Sequence, residues 1–426
     1  MAEFKAEVFQ NEYLAEGATD VHAVVSVTCT TAGTAGRSPQ GEAAEIIIVD
    51  TSGSMDMPAS KIVAARRAAK VAVGEIVDGT WFALISGHSV AQMVYPTHPG
   101  MAKMSNVTRR EATHMVDQLR AGGATAIGAW IAAATELFSQ VPTAQRHAIL
   151  LTDGKIEGEP SQALSQALAD AQGKFQCDCR GIGSDWVVDE LRTIANALLG
   201  TVDIIASPDD LEADFEAMIR TSMSRGVADA RLRVWAPQGS VVLFVRQVAP
   251  SVEDLTSKAV QVGSLIREFP TGAWSDESRD YHVAVRVPVA PVGNERLAAR
   301  VEVVINDEVV AKSLVKATWS ADANLTTRID PAVAHYTGQA QLADVIQKGL
   351  AAKAAGDDRT ATVLLGEAAK IAHESGNEDT TRLLAKVVDV VDAEAGTVRL
   401  KGNVERTDEM ALDTRSTKTT RIRKEP

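Results

Sequence analysis

The apolar run Glu45-Ile46-Ile47-Ile48-Val49 leads without a break into Asp50-Thr51-Ser52-Gly53-Ser54. The pattern predicts a buried strand that presents a carboxylate and several hydroxyls where it ends and a turn begins. A second run, His147-Ala148-Ile149-Leu150-Leu151-Thr152, ends in Asp153-Gly154, with Gly154 permitting a tight exit. Between them lies Gly122-Gly123-Ala124-Thr125-Ala126-Ile127-Gly128, a loop with one hydroxyl between two helical stretches. The Asp50 turn offers only oxygen ligands, with no Cys or His nearby, a set that suits Mg²⁺, Mn²⁺ or Ca²⁺ better than zinc or copper. Read alone, Asp50-x-Ser52-x-Ser54 could instead cap the helix that follows it, because Asp and Ser accept hydrogen bonds from free helix N-terminal amides.

Asp50, Ser52 and Ser54, then Thr125, then Asp153 together resemble the metal-ion-dependent adhesion site of von Willebrand factor A domains, over about residues 43 to 225. Gly181-Ile182-Gly183-Ser184-Asp185 is also similar to family segments, and Ala124 is a minor departure that leaves Thr125 intact. The resemblance implies a doubly wound, Rossmann-like sheet whose strands end at a crevice where the strand order reverses. It implies that Ser52, Ser54 and Thr125 coordinate a cation directly or through water, with Asp50 and Asp153 acting through water and hydroxyl contacts. A partner's Asp or Glu would fill a remaining coordination position. The stretch Pro208 to Ser224 would be the helix whose movement the family can couple to ligation.

The residues themselves set the remaining organisation. Residues 43 to 225 alternate strand and helix, with helices expected over Lys61 to Ile76, Val107 to Arg120, Ile127 to Gln140 and Pro208 to Ser224. Residues 226 to 325 change to short alternating strands, with a hairpin turn at Asn306-Asp307, and predict a β-sandwich. Residues 1 to 42 hold two β segments, Phe4 to Phe9 and Val21 to Thr30, too few to bury a face alone. They are expected to join the later strands, making the α/β domain an insertion in the sandwich. Residues 335 to 400 predict a helical bundle, with helices near Thr360 to Glu374 and Asp379 to Ala395. Residues 401 to 426, rich in Thr, Arg and Lys, are expected to be disordered.

Composition narrows the function. The 426 residues carry 43 Lys and Arg against 56 Asp and Glu, a net charge of −13, which disfavours nucleic acid and anionic membrane as partners. No apolar run reaches spanning length and the N-terminus lacks a signal pattern, so a cytoplasmic location is expected. Three cysteines, Cys29, Cys177 and Cys179, cannot all pair within one chain and fit a reducing compartment. No nucleophile elbow or phosphate loop is present. The expectation is a non-enzymatic, metal-dependent protein-interaction module in a regulatory or signalling assembly. Its rivals are a metal-dependent hydrolase and a structural subunit of a nucleotide-driven remodelling complex. The tail is most simply an inert solvated segment; the other reading is that a kinase modifies one of its threonines for a phosphopeptide-binding partner.

Overall fold

The computed structural model describes residues 2–34, 42–142, 144–419 and 421. Most of the Thr31 to Gly41 connection, and Thr420, Arg423 and Lys424 of the tail, lie outside the described residues. The chain divides into two compact units, one built mainly from Thr31–Ala228 and one from Glu3–Thr30, Asp229–Thr271 and Glu277–Pro426.

The first unit is organised by the strand Ala43–Asp50, every residue of which is buried. Such a strand needs neighbours on both edges and cover on both faces. Trp81–Gly87 pairs with it in parallel on one side and Gln145–Thr152 on the other, followed by Gln176–Ile182 and Val202–Ile205. Ala91–Tyr95 adds an antiparallel edge beyond Trp81–Gly87. The chain builds one side of Ala43–Asp50 first and then returns to the other. The strand order therefore reverses between Ala43–Asp50 and Gln145–Thr152, which run side by side from Ala43 opposite Gln145 to Val49 opposite Leu151.

Small residues let the covering helices come close. Ser60–Glu75 buries Ala64, Ala65, Ala68, Ala69 and Ala72, and it packs beside Leu211–Ser224. Ile127–Ser139 brings the Trp130 ring over the sheet, where a Cβ on Gly87 would stand 2.5 Å from a ring carbon. Two further helices, Ala163–Ala171 and Val188–Ala197, complete the alternation. At the end of the sheet remote from Asp50, buried Glu45, His147 and Asp178 sit on three adjacent strands. His147 Nδ1 lies 2.6 Å from Glu45 Oε1, and Nε2 lies 2.9 Å from Asp178 Oδ2. Burial alone would push the imidazole down, but the two carboxylates outweigh it and hold His147 up at about 9. Ser222 of the Leu211–Ser224 helix donates to Glu45 Oε2 at 2.8 Å, so this helix is fastened to the same charge network.

The strands of the second unit up to Trp319 belong to two sheets. Asp20–Thr30 pairs antiparallel with Glu3–Gln10 and with Glu277–Arg286, from Cys29 opposite Glu277 to Asp20 opposite Arg286. Early and late segments of the chain thus share one sheet. Glu295–Ile305 and Glu308–Trp319 form a hairpin, with Asn306 and Asp307 both at positive φ as a two-residue turn of this hand requires.

Helices Pro331–Ala354, Asp358–Glu374 and Glu378–Val387 follow, with Asp330, Asp357 and Asn377 as N-caps accepting from amides in the first turn. Two expectations are corrected here. The third helix stops at Val387 instead of reaching Ala395, because the β-branched run from Val388 forms the strand Val388–Asp392, paired with Thr397–Leu400 around Gly396 at φ 67°. The tail from residue 401 is not disordered throughout: Arg406–Arg415 is helical, and Met410, Ala411 and Leu412 are buried. Leu412 joins a core with Leu365 and Leu384, and Lys386 pairs with Asp408 at 2.8 Å. Thr414 and Ser416 are buried as well, so neither offers a kinase an exposed hydroxyl. Among the described residues, no helix is long and apolar enough to cross a membrane.

Candidate functional site

The Ala43–Asp50 strand delivers Asp50 to the reversal point, fully buried, with both carboxyl oxygens engaged. Oδ1 accepts from the Ser52 amide at 2.7 Å and Oδ2 from Thr152 Oγ1 at 2.5 Å. Burial pushes this carboxyl up to about 6, partly offset by the hydrogen bonds from Ser52 and Thr152, while the nearby Asp153 charge pushes it further up. The turn that follows is anchored on both sides. The Thr51 amide donates to the Gly87 carbonyl at 2.7 Å, Gly53 N donates to Gly123 O at 3.0 Å, and Gly122 N donates to Thr51 O at 2.7 Å. The Asp50 turn and the Thr125 loop are therefore stitched together by backbone hydrogen bonds, leaving their side chains free of that duty.

Ser54 links the Asp50 turn to Asp153. Ser54 Oγ donates to Asp153 Oδ1 at 2.6 Å, and Ser52 Oγ lies 2.9 Å from Ser54 Oγ. Thr125 is buried, and its carbonyl accepts from the Glu157 amide at 2.8 Å, which ties its loop to the segment after Asp153. A Cβ built on Gly154 would stand 3.1 Å from Thr125 Oγ1 and 3.3 Å from Ser54 Oγ. Glycine at 154 thus keeps open a small space walled by hydroxyls from two different loops. Asp50, Ser52, Ser54, Thr125 and Asp153, scattered over a hundred residues of sequence, occupy one locality at the end of two adjacent strands.

Three contributors are not visible in the sequence pattern. Thr152 holds Asp50 in place. Lys61, in the first turn of Ser60–Glu75, places its buried ammonium 2.6 Å from Asp153 Oδ2 and 3.4 Å from the exposed Asp185. Asp185 follows a strand end and lies at the rim. A lysine one turn into a helix resembles any surface lysine in sequence; only its packing among alanines shows that it points inward. Among the described residues, no group of three or more His, Cys, Asp or Glu is arranged to hold a metal. The locality is instead hydroxyl-rich, with two carboxylates and one ammonium. Cys177 and Cys179 are both buried in the Gln176–Ile182 strand, away from these groups in the sheet.

Residues 43–204 match the von Willebrand factor type A domain, and residues 370–416 match the von Willebrand factor type A C-terminal domain. The second match spans the helices and hairpin that include the unexpected Arg406–Arg415 segment. Among solved structures, a von Willebrand factor type A protein from Catenulispora acidiphila is 46% identical, with a TM-score of 0.94 over 99% of this chain and 97% of its own. The ArnB paralog VWA2 from Sulfolobus acidocaldarius shares the fold at 14% identity, with a TM-score of 0.59 over 97% of this chain and 98% of its own. No curated protein matches the chain. With nearly half of its residues identical to a relative that it covers end to end, the chain belongs to the von Willebrand factor type A family.

Proposed function

We propose that this protein, whose family is one of general protein-interaction modules, binds an acidic partner protein through a divalent cation, Mg²⁺ or else Mn²⁺ or Ca²⁺. The observation that carries the reading is the hydrogen-bonded chain from Ser52 through Ser54 to Asp153, with the Thr125 hydroxyl facing Ser54 across the Gly154 gap. Oxygen-only donors of this kind fit a hard cation, and few carboxylates among them leave room for water or an outside donor. Ser52, Ser54 and Thr125 would hold the ion, with Asp50 and Asp153 behind them. When bound, the ion supplies a Lewis-acidic positive centre for a carboxylate.

Charge supports the choice of partner. Lys61 offsets one of the two buried carboxylates, so a divalent ion would leave this buried set with a single net positive charge, before the exposed Asp185 at the rim is counted. That favours an Asp or Glu side chain over a neutral or cationic one. Binding rather than catalysis is proposed because both Asp50 oxygens are engaged and Lys61 is committed to Asp153. The wider reading places the α/β domain as an insertion between strands of a sandwich, in a cytoplasmic regulatory or signalling assembly. The pairing of Asp20–Thr30 with Glu277–Arg286 supports the first part.

Affinity capture from native extract tests the proposal, with Mg²⁺ or chelator present and with Ser54→Ala beside the wild type. The proposal expects partners recovered in Mg²⁺ to be lost in chelator and with the variant. Undiminished recovery in chelator overturns it.

A further inference from the structure

A cavity of about 770 Å³ lies within the second unit, between the Glu3–Gln10, Asp20–Thr30 and Glu277–Arg286 strands and the start of the Pro331–Ala354 helix. Phe9, Val24, Pro331 and Tyr336 give it apolar walls. Lys5, Glu7 and Asp330 also line it, but the buried charge among its lining is Asp280, with a side chain only 5% exposed. Tyr336 Oη donates to Asp280 Oδ2 at 2.5 Å, and Ser26 Oγ donates to Oδ1. Two hydroxyls satisfy hydrogen bonding but supply no charge, so a carboxylate this deep calls for a cation.

The cation present comes from the end of the chain. Arg421 Nε reaches Asp280 at 3.2 and 3.1 Å, and its guanidinium also donates to Ser26. Yet the Arg421 side chain is 41% exposed and stands at the cavity wall, and among the described residues none fills the bulk of this ligand-sized space. The described residues just before Arg421 are held by one antiparallel bridge, Ser251 opposite Lys418. Val252 N donates to Thr417 O at 2.8 Å, Thr419 N donates to Pro250 O at 2.9 Å, and Thr419 Oγ1 donates to Val248 O at 2.5 Å. Main-chain pairing along an exposed edge, with one side chain entering a pocket, is a common mode of peptide recognition.

We propose that this cavity is a receptor for an arginine-bearing extended segment of a partner protein, and that Arg421 occupies its mouth as a displaceable internal stand-in. The guanidinium of the partner replaces that of Arg421 on Asp280, and an apolar neighbour in the partner fills the space beside Phe9 and Val24. The chain's own tail sets the threshold that such a ligand must exceed. This site is independent of the proposed cation site.

Fluorescence anisotropy with the full-length protein tests it, using a labelled pentapeptide Thr-Lys-Thr-Thr-Arg and its Ala-ended counterpart. Arg421→Gln, checked for native circular dichroism, should bind the Arg-ended peptide at least tenfold more tightly than wild type and ignore the Ala-ended one. Ala332→Trp, which crowds the cavity without touching Asp280, should abolish the gain when combined with Arg421→Gln. Equal affinity in wild type and Arg421→Gln overturns the proposal, as does equal binding of the two peptides. Wild-type dimers that the Arg-ended peptide dissociates would make the occupant a second copy of this chain and overturn the assignment to a partner.

Discussion

The Lys61 ammonium lies 2.6 Å from Asp153 Oδ2, and both side chains are buried. Removing one member of such a pair strands the other charge, at a cost of about 3–5 kcal/mol. Lys61→Met should therefore lower the unfolding free energy by about that amount in chelator, read by urea denaturation. At about a hundred times its Kd, Mg²⁺ stabilises any protein that binds it by about 2.7 kcal/mol. If the ion also neutralises Asp153, Lys61→Met should therefore bind it more tightly than wild type, and the deficit at a fixed Mg²⁺ concentration should shrink. An unchanged deficit in Mg²⁺ would separate Asp153 from the cation.

His147 makes stability depend on alkaline pH. Its folded-state value of about 9 lies above the ordinary 6.5 of the unfolded chain. The sign is that of a raised histidine: its contribution is complete below about pH 6.5 and is lost as pH rises through about 9. The loss is on the order of 3 kcal/mol. Denaturant midpoints between pH 6 and 10 should fall for wild type and stay nearly level for His147→Gln, which starts less stable.

Gly154 keeps the hydroxyl-walled gap open. Gly154→Ala places a methyl 3.1 Å from Thr125 Oγ1 and 3.3 Å from Ser54 Oγ, tight contacts that displace donors more than they disturb the core. The expected outcome is at least a tenfold loss of Mn²⁺ affinity by calorimetry, with a change in thermal midpoint of only a few degrees.

The Arg406–Arg415 helix docks through Leu412, which is fully buried. Leu412→Ala should cost about 2–5 kcal/mol and speed proteolysis after residue 400, followed by intact mass. A solvated tail would show neither effect.

The candidate site was legible because each donor sits next to a strong local pattern: Asp50 and Asp153 close long apolar runs, and Thr125 sits in a glycine-bearing loop. What sequence did not disclose depends on long-range packing. Lys61 is an unremarkable helix residue until the fold buries it against Asp153, and His147 is one of eight scattered histidines until strand register sets it between Glu45 and Asp178. The tail misled because Met410-Ala411-Leu412 is too short an apolar stretch to stand out among charged residues. Val388–Asp392 lies inside the expected third helix because apolar residues continue there from the helix, and only their β-branching marks the change to strand.

Whether oxygens from three separate loops share one divalent ion, as proposed, is decided by calorimetric titration of Mg²⁺ or Mn²⁺. Wild type should bind a single ion, and Asp50→Ala and Thr125→Ala, each verified as folded, should each lose that binding. Equal uptake by wild type and both variants would contradict the account.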